Sequence, residues 1–161
     1  MRAKLHVFFL ETFAKLPVWL RRRVVRTISP SYTVGAICLV ERADDQILLV
    51  RQIYRRHWGL PGGLVERRED VTDAVRRELV EETGLVVDLV GEPAVVVDPE
   101  SQRVDVVFRA RPSAGVDPVA VAALSPEIAE VRWFARSDLP DLQPETTQAL
   151  VALARSEVSQ I

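Results

Sequence analysis

The segment GGLVERREDVTDAVRRELVEETGL, residues 62–85, decides the reading of the chain. It opens on a glycine pair, which permits unusual backbone angles and close backbone approach. Asp70 is placed to cap a helix running from about Val71 to Glu82, and Asp73 favours its first turn. Gly84 suits the left-handed position that ends such a helix. Within it, Glu78, Glu81 and Glu82 stand at i, i+3 and i+4 and share one face. Two unit charges about 5 Å apart repel by roughly 3 kcal/mol at an effective dielectric near 20, so three crowded carboxylates call for compensation. A hard divalent cation such as Mg2+ or Mn2+ supplies it, because it prefers oxygen ligands. Arg77 can form a two-pronged bond to a carboxylate, Glu69 or Glu81. A backbone carbonyl of the glycine pair can join the same shell.

An isolated E-x-x-E-E is more often a solvated helix face than a site. The full spacing separates the two readings: G-x5-E-x7-R-E-U-x-E-E-x-G-U, where U is a bulky aliphatic residue, is filled by Gly63, Glu69, Arg77, Glu78, Leu79, Glu81, Glu82, Gly84 and Leu85. Its seven fixed residues, at ordinary usage, recur by chance in a chain this long roughly once in a million.

Upstream of the segment, Tyr32–Glu41 and Gln46–Gln52 are rich in strand formers, and Ala43-Asp44-Asp45 between them is a turn, so the two are expected to pair as a hairpin. Ile53–Val65 reads as a loop. Downstream, strands are expected at Val86–Asp98, with a break near Gly91-Glu92-Pro93, at Arg103–Ala110, and at the end of Glu127–Phe134. A last helix covers Pro144–Arg155. Mixed strands and helices predict an α/β or α+β domain around one core.

The chain has 161 residues, 48% of them hydrophobic and 27% charged, ordinary values for one globular domain. The single cysteine, Cys38, excludes an intrachain disulfide framework and a cysteine-based zinc cluster, and its apolar strand predicts a small buried hydrophobe. The net charge of −2 hides a split. Residues 1–30 carry Arg2, Lys4, Lys15, Arg21, Arg22, Arg23 and Arg26 against Glu11 alone, a net +6, and the remaining residues carry −8. In this head, Leu5, Phe8, Phe9, Thr12, Phe13 and Leu16 fall near one helical face, Pro17 interrupts, and Val18–Ile28 forms a second helical stretch closed by Ser29-Pro30. No uncharged apolar run reaches the length of a membrane span. His6, Glu11 and Lys15 interrupt the N-terminal apolar stretch, which argues against a signal peptide, so a cytoplasmic location is expected.

The 63–85 segment resembles the Nudix box, with no departure at any signature position. The resemblance extends to the strand Tyr32–Glu41, to Trp58-Gly59-Leu60-Pro61-Gly62-Gly63 and to Glu130-Val131-Arg132-Trp133-Phe134, covering about residues 31–155. It implies a Nudix fold, a mixed curved sheet sandwiched between helices, here with an extra N-terminal helical segment: an extension over 1–30 and a Nudix domain over 31–157. It implies hydrolysis of a nucleoside diphosphate linked to another moiety, with Mg2+ or Mn2+. Carried over by position, Glu78, Glu81 and Glu82 match the metal-binding carboxylates, with Glu78 also a candidate base, and the Gly62 carbonyl matches a backbone ligand. Arg77 and Glu69 match the pair that orients the site. A further carboxylate from outside the box is expected at Glu127, with Glu130 the runner-up. A Nudix-fold module that senses a nucleotide without cleaving it is the competing class. It would be marked by loss of a box carboxylate, and none is lost.

Arg51, Arg55 and Arg56 precede the glycine loop and are candidates for phosphate contacts beside a solvated-loop reading; His57 carries little signal. Trp58 can stack on a base or anchor the loop. Phe108 and Trp133 fit strand core positions. The basic head is expected to pack on the domain or to form a homodimer; attachment to RNA or an anionic membrane surface is the other use open to it.

Overall fold

The computed structural model describes residues 13–28 and 31–158. Two compact units divide the chain, residues 1–32 and residues 33–161. In the first, α1 spans Val18–Ile28 and begins just after Pro17, whose carbonyl accepts from the Leu20 and Arg21 amides. Pro17 thus separates α1 from the helical turn at residues 13–15. Leu5, Phe8, Phe9 and Thr12 of the expected first helix, and the Ser29-Pro30 stop, lie outside the described residues.

The second unit holds β1 (Thr33–Val40), β2 (Gln46–Gln52), β3 (Gly62–Leu64), α2 (Val71–Thr83), β4 (Val87–Asp98), β5 (Arg103–Pro112), β6 (Ile128–Ala135) and α3 (Pro144–Val158). A four-stranded mixed sheet has the order β3-β1-β5-β4, and β2 pairs with β6 in a second sheet. β1 is buried on both faces, as a central strand must be. Alternation sends Ala36, Cys38 and Val40 into one core cluster with Ala74, Val75 and Leu79 of α2. It sends Ile37 and Leu39 into a second cluster with Ala149 and Leu153 of α3. The expected sandwich of sheet between helices is therefore built on the two faces of one strand. Burial pushes the Cys38 thiol up to about 12, which keeps it protonated and inert.

The expected β1–β2 hairpin does not form. The turn is there: the Asp45 amide donates to the Arg42 carbonyl at 3.2 Å, and Asp45 takes a φ of 61°. Beyond it the two arms are joined by the Arg42 amide donating to the Gln46 carbonyl at 2.8 Å and by a single bridge between Glu41 and Ile47. β5 takes one whole edge of β1 in parallel and β3 takes Gly35–Ile37 of the other antiparallel, while β2 pairs antiparallel with β6 in the second sheet. The segment read as a loop supplies β3. The expected break in β4 is a pairing irregularity between Val90 and Ala94 in a continuous strand, where Gly91 takes a φ of 69° and Pro93 has no amide to give.

Pairing of β3 places the glycine pair. Gly63 sits opposite Ala36 and Gly62 opposite Ile37. Gly62 has a φ of 138°, and a Cβ there would lie 2.3 Å from the Ala36 carbonyl oxygen. Only glycine fits this approach.

Candidate active site

The site is assembled by α2 and the chain on either side of it. The Asp70 side chain accepts from the Thr72 amide at 2.8 Å and starts the helix; Gly84, at a φ of 74°, donates to the Val80 carbonyl at 2.9 Å and ends it. Ala74, Val75 and Leu79 anchor the inner face in the core. The register then places Glu78, Glu81 and Glu82 along one side, facing β3.

Arg77 ties this face together. Its Nε and Nη2 donate to the two oxygens of Glu69 at 2.8 and 3.0 Å, the two-pronged geometry expected for one of Glu69 and Glu81. Its Nη1 donates to Glu78 at 2.9 Å and to Glu81 at 3.2 Å. Nη2 also reaches the Leu64 carbonyl at 3.3 Å. One guanidinium thus fixes the loop before the helix, the end of β3 and two helix carboxylates. The bond from Arg77, together with the Glu66 amide, holds the Glu69 carboxyl down to about 2, and the Glu69 and Glu78 carboxylates hold the Arg77 guanidinium above its usual range.

Glu82 is the buried member, with 7% of its surface exposed. Its Oε2 accepts from the Gly62 amide at 2.9 Å. Burial pushes its pKa up to about 7; the Gly62 bond opposes this, and the charges of Glu78, Glu127 and Glu81 add to the rise. Glu78 lies against the other glycine: a Cβ on Gly63 would meet Glu78 Oε1 at 2.4 Å.

Glu78, Glu81, Glu82, Glu127 and the glycine pair line one cavity of about 580 Å³. The two carboxylates offered from outside the helix part company here. Glu127, just before β6, lines the cavity with Glu82, and its charge helps raise the Glu82 carboxyl. Glu130 pairs with Arg51 and Arg132, which hold its carboxyl below the usual range, and it lines a different opening. Among the described residues no three His, Cys, Asp or Glu side chains are already drawn round one point in ligand geometry. Each of the three helix carboxylates instead holds one protein donor.

Arg51, Arg55, Arg56 and Trp58 come together, but not in the carboxylate cavity. They line a neighbouring opening of about 600 Å³ with Tyr54, Glu130 and Arg132. Trp58 meets Phe134 edge-on at 4.8 Å and packs on the α3-side core, the loop-anchoring role. Its amide donates to the Asp141 carbonyl and its carbonyl accepts from the Gln143 amide. Phe108 is buried, and Trp133 packs against the α2-side core with its indole N–H donating to the Pro118 carbonyl at 2.7 Å.

The cavity wall also includes Gln52, Tyr54, Arg103 and Ser125, which the sequence reading did not select. Arg103 donates through Nε to both oxygens of Asp105 at 2.8 and 3.0 Å, and Asp105 is buried. Two opposite charges at alternate positions of a strand otherwise apolar, Arg103-Val104-Asp105-Val106-Val107, are the signal that would have found this pair.

The comparisons with known proteins agree with this geometry. A model of the NUDIX domain matches residues 31–154. A MutT-like protein of Streptomyces ambofaciens is 31% identical over 119 residues, covering 74% of each chain. Human 8-oxo-dGDP phosphatase NUDT18 is 33% identical over 130 residues, covering 77% of this chain; the match spans 36% of that protein's length. The MutT NUDIX hydrolase of Burkholderia pseudomallei superposes with a TM-score of 0.62 at 30% identity, over 76% of this chain and 98% of that one. A NUDIX hydrolase of Nitrosomonas europaea gives 0.65 at 26% identity, over 76% and 69%. The uninterrupted box, its loop–helix–loop geometry and these matches have one reading: the chain belongs to the Nudix hydrolase family.

Proposed function

We propose that the protein hydrolyses the pyrophosphate bond of a nucleoside diphosphate linked to a further group, such as a nucleotide sugar, an ADP-ribose-like compound or a nucleoside triphosphate. In this reading Mg2+ or Mn2+ is held by Glu78, Glu81, Glu82 and Glu127 with the Gly62 carbonyl. The observation that carries it is the convergence of five glutamates, Glu66 with these four, on a single cavity beside a glycine pair, Glu82 among them buried. The donor set fits a hard cation, being all oxygen, and the missing Cβ of Gly63 is what admits the Glu78 carboxylate. When bound, the cation neutralises phosphate charge and lowers the pKa of water.

The chain's own residues do the rest. Arg77 fixes the carboxylates of Glu78 and Glu81 while spending its two-pronged face on Glu69, so orientation is set before substrate arrives. Water attacks phosphorus, a new P–O bond forms, the bridging P–O bond breaks, and the proton passes to a carboxylate. Glu78 and Glu127 are the two groups this reading offers for it. The products are two phosphate-terminated fragments. The test is a panel of nucleoside diphosphate derivatives assayed with Mg2+, with Mn2+ and with chelator. Cleavage of at least one compound in metal and of none in chelator is expected; cleavage of none under any condition overturns the proposal. The substrate of NUDT18, named for 8-oxo-dGDP, belongs in that panel.

The same proposal takes residues 31–157 as the catalytic domain of a cytoplasmic homodimer, with the +6 segment 1–30 as the pairing element. Among the described residues no helix is long and apolar enough to cross a membrane. Deleting residues 1–28 is expected to turn a dimer into a monomer by light scattering; a particle that is still a dimer counts against the pairing.

A further inference from the structure

Alternation along β2 sends Gln52 to the carboxylate cavity and Arg51 to the opposite face. There, Arg51, Arg55, Arg56 and Arg132 crowd one opening of about 600 Å³ with a single carboxylate, Glu130, among them. Glu130 is shared between Arg51 and Arg132. Arg55 lies 3.6 Å from Glu145, an exposed pair of little strength. The charge of the opening is therefore positive, in a chain whose net charge is −2. The guanidinium groups of Arg51 and Arg132 are held 6.0 and 5.7 Å from the Trp58 ring centroid, which orders them.

Beside these cations stands an exposed aromatic ring. Tyr54 is 62% exposed and its neighbour Ile53 is 64% exposed. Tyr54 belongs to the walls of three adjoining cavities: the carboxylate cavity, a narrow one of about 120 Å³, and the arginine opening. Gly62 is shared by the first two and Arg55 by the last two. One trough thus runs from the carboxylates, across Tyr54, onto the arginines.

A mononucleotide derivative held at the carboxylates leaves the far end of this trough empty. An exposed ring followed by guanidiniums that outnumber their carboxylates suits a base followed by phosphate: every base has a face to stack, and the planar arginine fork matches phosphate oxygens. We propose that the trough binds the second nucleotide of a substrate carrying nucleotides on both sides of the cleaved pyrophosphate, its base on Tyr54 and its further phosphates on Arg56 and Arg132. The proposal rests on the carboxylate cavity being the hydrolytic site, and it narrows the substrate class.

Three compounds sharing an adenylyl pyrophosphate separate the contributions: ADP-ribose, with no second base; diadenosine diphosphate, with one; and the same dinucleotide extended by a 3′-linked adenylate. With Mg2+, kcat/KM is expected to rise about tenfold at each step, the scale of one stacked base and of one or two phosphate contacts. Tyr54→Ala should remove the first gain through KM. Arg56→Ala with Arg132→Ala should remove the second, along with its salt dependence. Equal kcat/KM for the three compounds, or gains that survive these variants, overturns the proposal. Direct titration of the full chain with fluorescently labelled pApA in chelator reads the trough without turnover. Binding that is lost in the double arginine variant supports the trough even if no compound is hydrolysed, in which case the hydrolytic reading alone falls. Hydrolysis without pApA binding removes the trough and leaves the hydrolytic reading standing.

Discussion

Glu78→Gln and Glu82→Gln are each expected to lower metal-dependent kcat by about a thousandfold, the rate equivalent of the roughly 4 kcal/mol of charge stabilisation that a well-held cation supplies. The fold should survive both changes. A glutamine at position 82 keeps an oxygen to accept from the Gly62 amide, whose bond to Glu82 is 2.9 Å long. A glutamine at position 78 keeps an acceptor for Arg77, and Arg77 retains its two-pronged hold on Glu69. What each variant loses is one negative charge in the oxygen-lined cavity. The check is kcat with Mg2+ and with Mn2+, beside far-ultraviolet circular dichroism and a melting curve. Full activity in both folded variants contradicts the assignment.

The second large effect is on stability, and it runs opposite to activity. The Glu82 carboxyl titrates near 7 in the folded chain and at its ordinary value of 4.5 when unfolded. Between those values the folded state holds a proton that the unfolded state has lost, so metal-free stability falls as pH rises through this window and levels off above it. The shift corresponds to at most about 3 kcal/mol, or about 10 °C in Tm for a domain of this size. Glutamine imitates the protonated carboxyl. Wild type and Glu82→Gln should therefore melt together near pH 5, and the variant should melt higher near pH 7.5. Added Mg2+ at pH 7.5 should raise the wild type and narrow the gap. A gap between the two that does not change with pH rules out the burial argument for Glu82.

The parts of the molecule legible in the sequence are those whose determinants are local. Asp70, Gly84 and the i, i+3, i+4 spacing of the glutamates all act within one helix, and helix, caps and shared face were read without the fold. Arg77 was read as a two-pronged partner, but the choice between Glu69 and Glu81 needed the loop that brings Glu69 back over the helix. The hairpin expectation failed because a turn at Ala43–Asp45 says nothing about who else competes for β1. Its neighbour β5 begins at Arg103, far along the chain, and on the edge that faces β2 the Cys38 amide is taken by the Pro61 carbonyl, just before β3. Arg51 and Gln52 show the same limit. The charged neighbour was chosen for its chemistry, yet strand alternation turns it away from the carboxylates and presents Gln52 to them. Glu127 and Glu130 are three residues apart, and only the start of β6 and the arginines around Glu130 separate a cavity wall from an ion pair.

The charge split reads differently in the folded chain. Part of the acidity of residues 31–161 is the carboxylate cavity, and part of the basicity of the same region is gathered in one trough beside it.

The most direct test is hydrolysis in 18O-labelled water, with Mg2+, of the compound the panel shows to be cleaved best, with both products weighed by mass spectrometry. Attack on phosphorus predicts two phosphate-terminated products, one of them carrying a single 18O on its phosphorus, and no turnover once the metal is chelated. Label on carbon, or turnover that persists in chelator, contradicts the account.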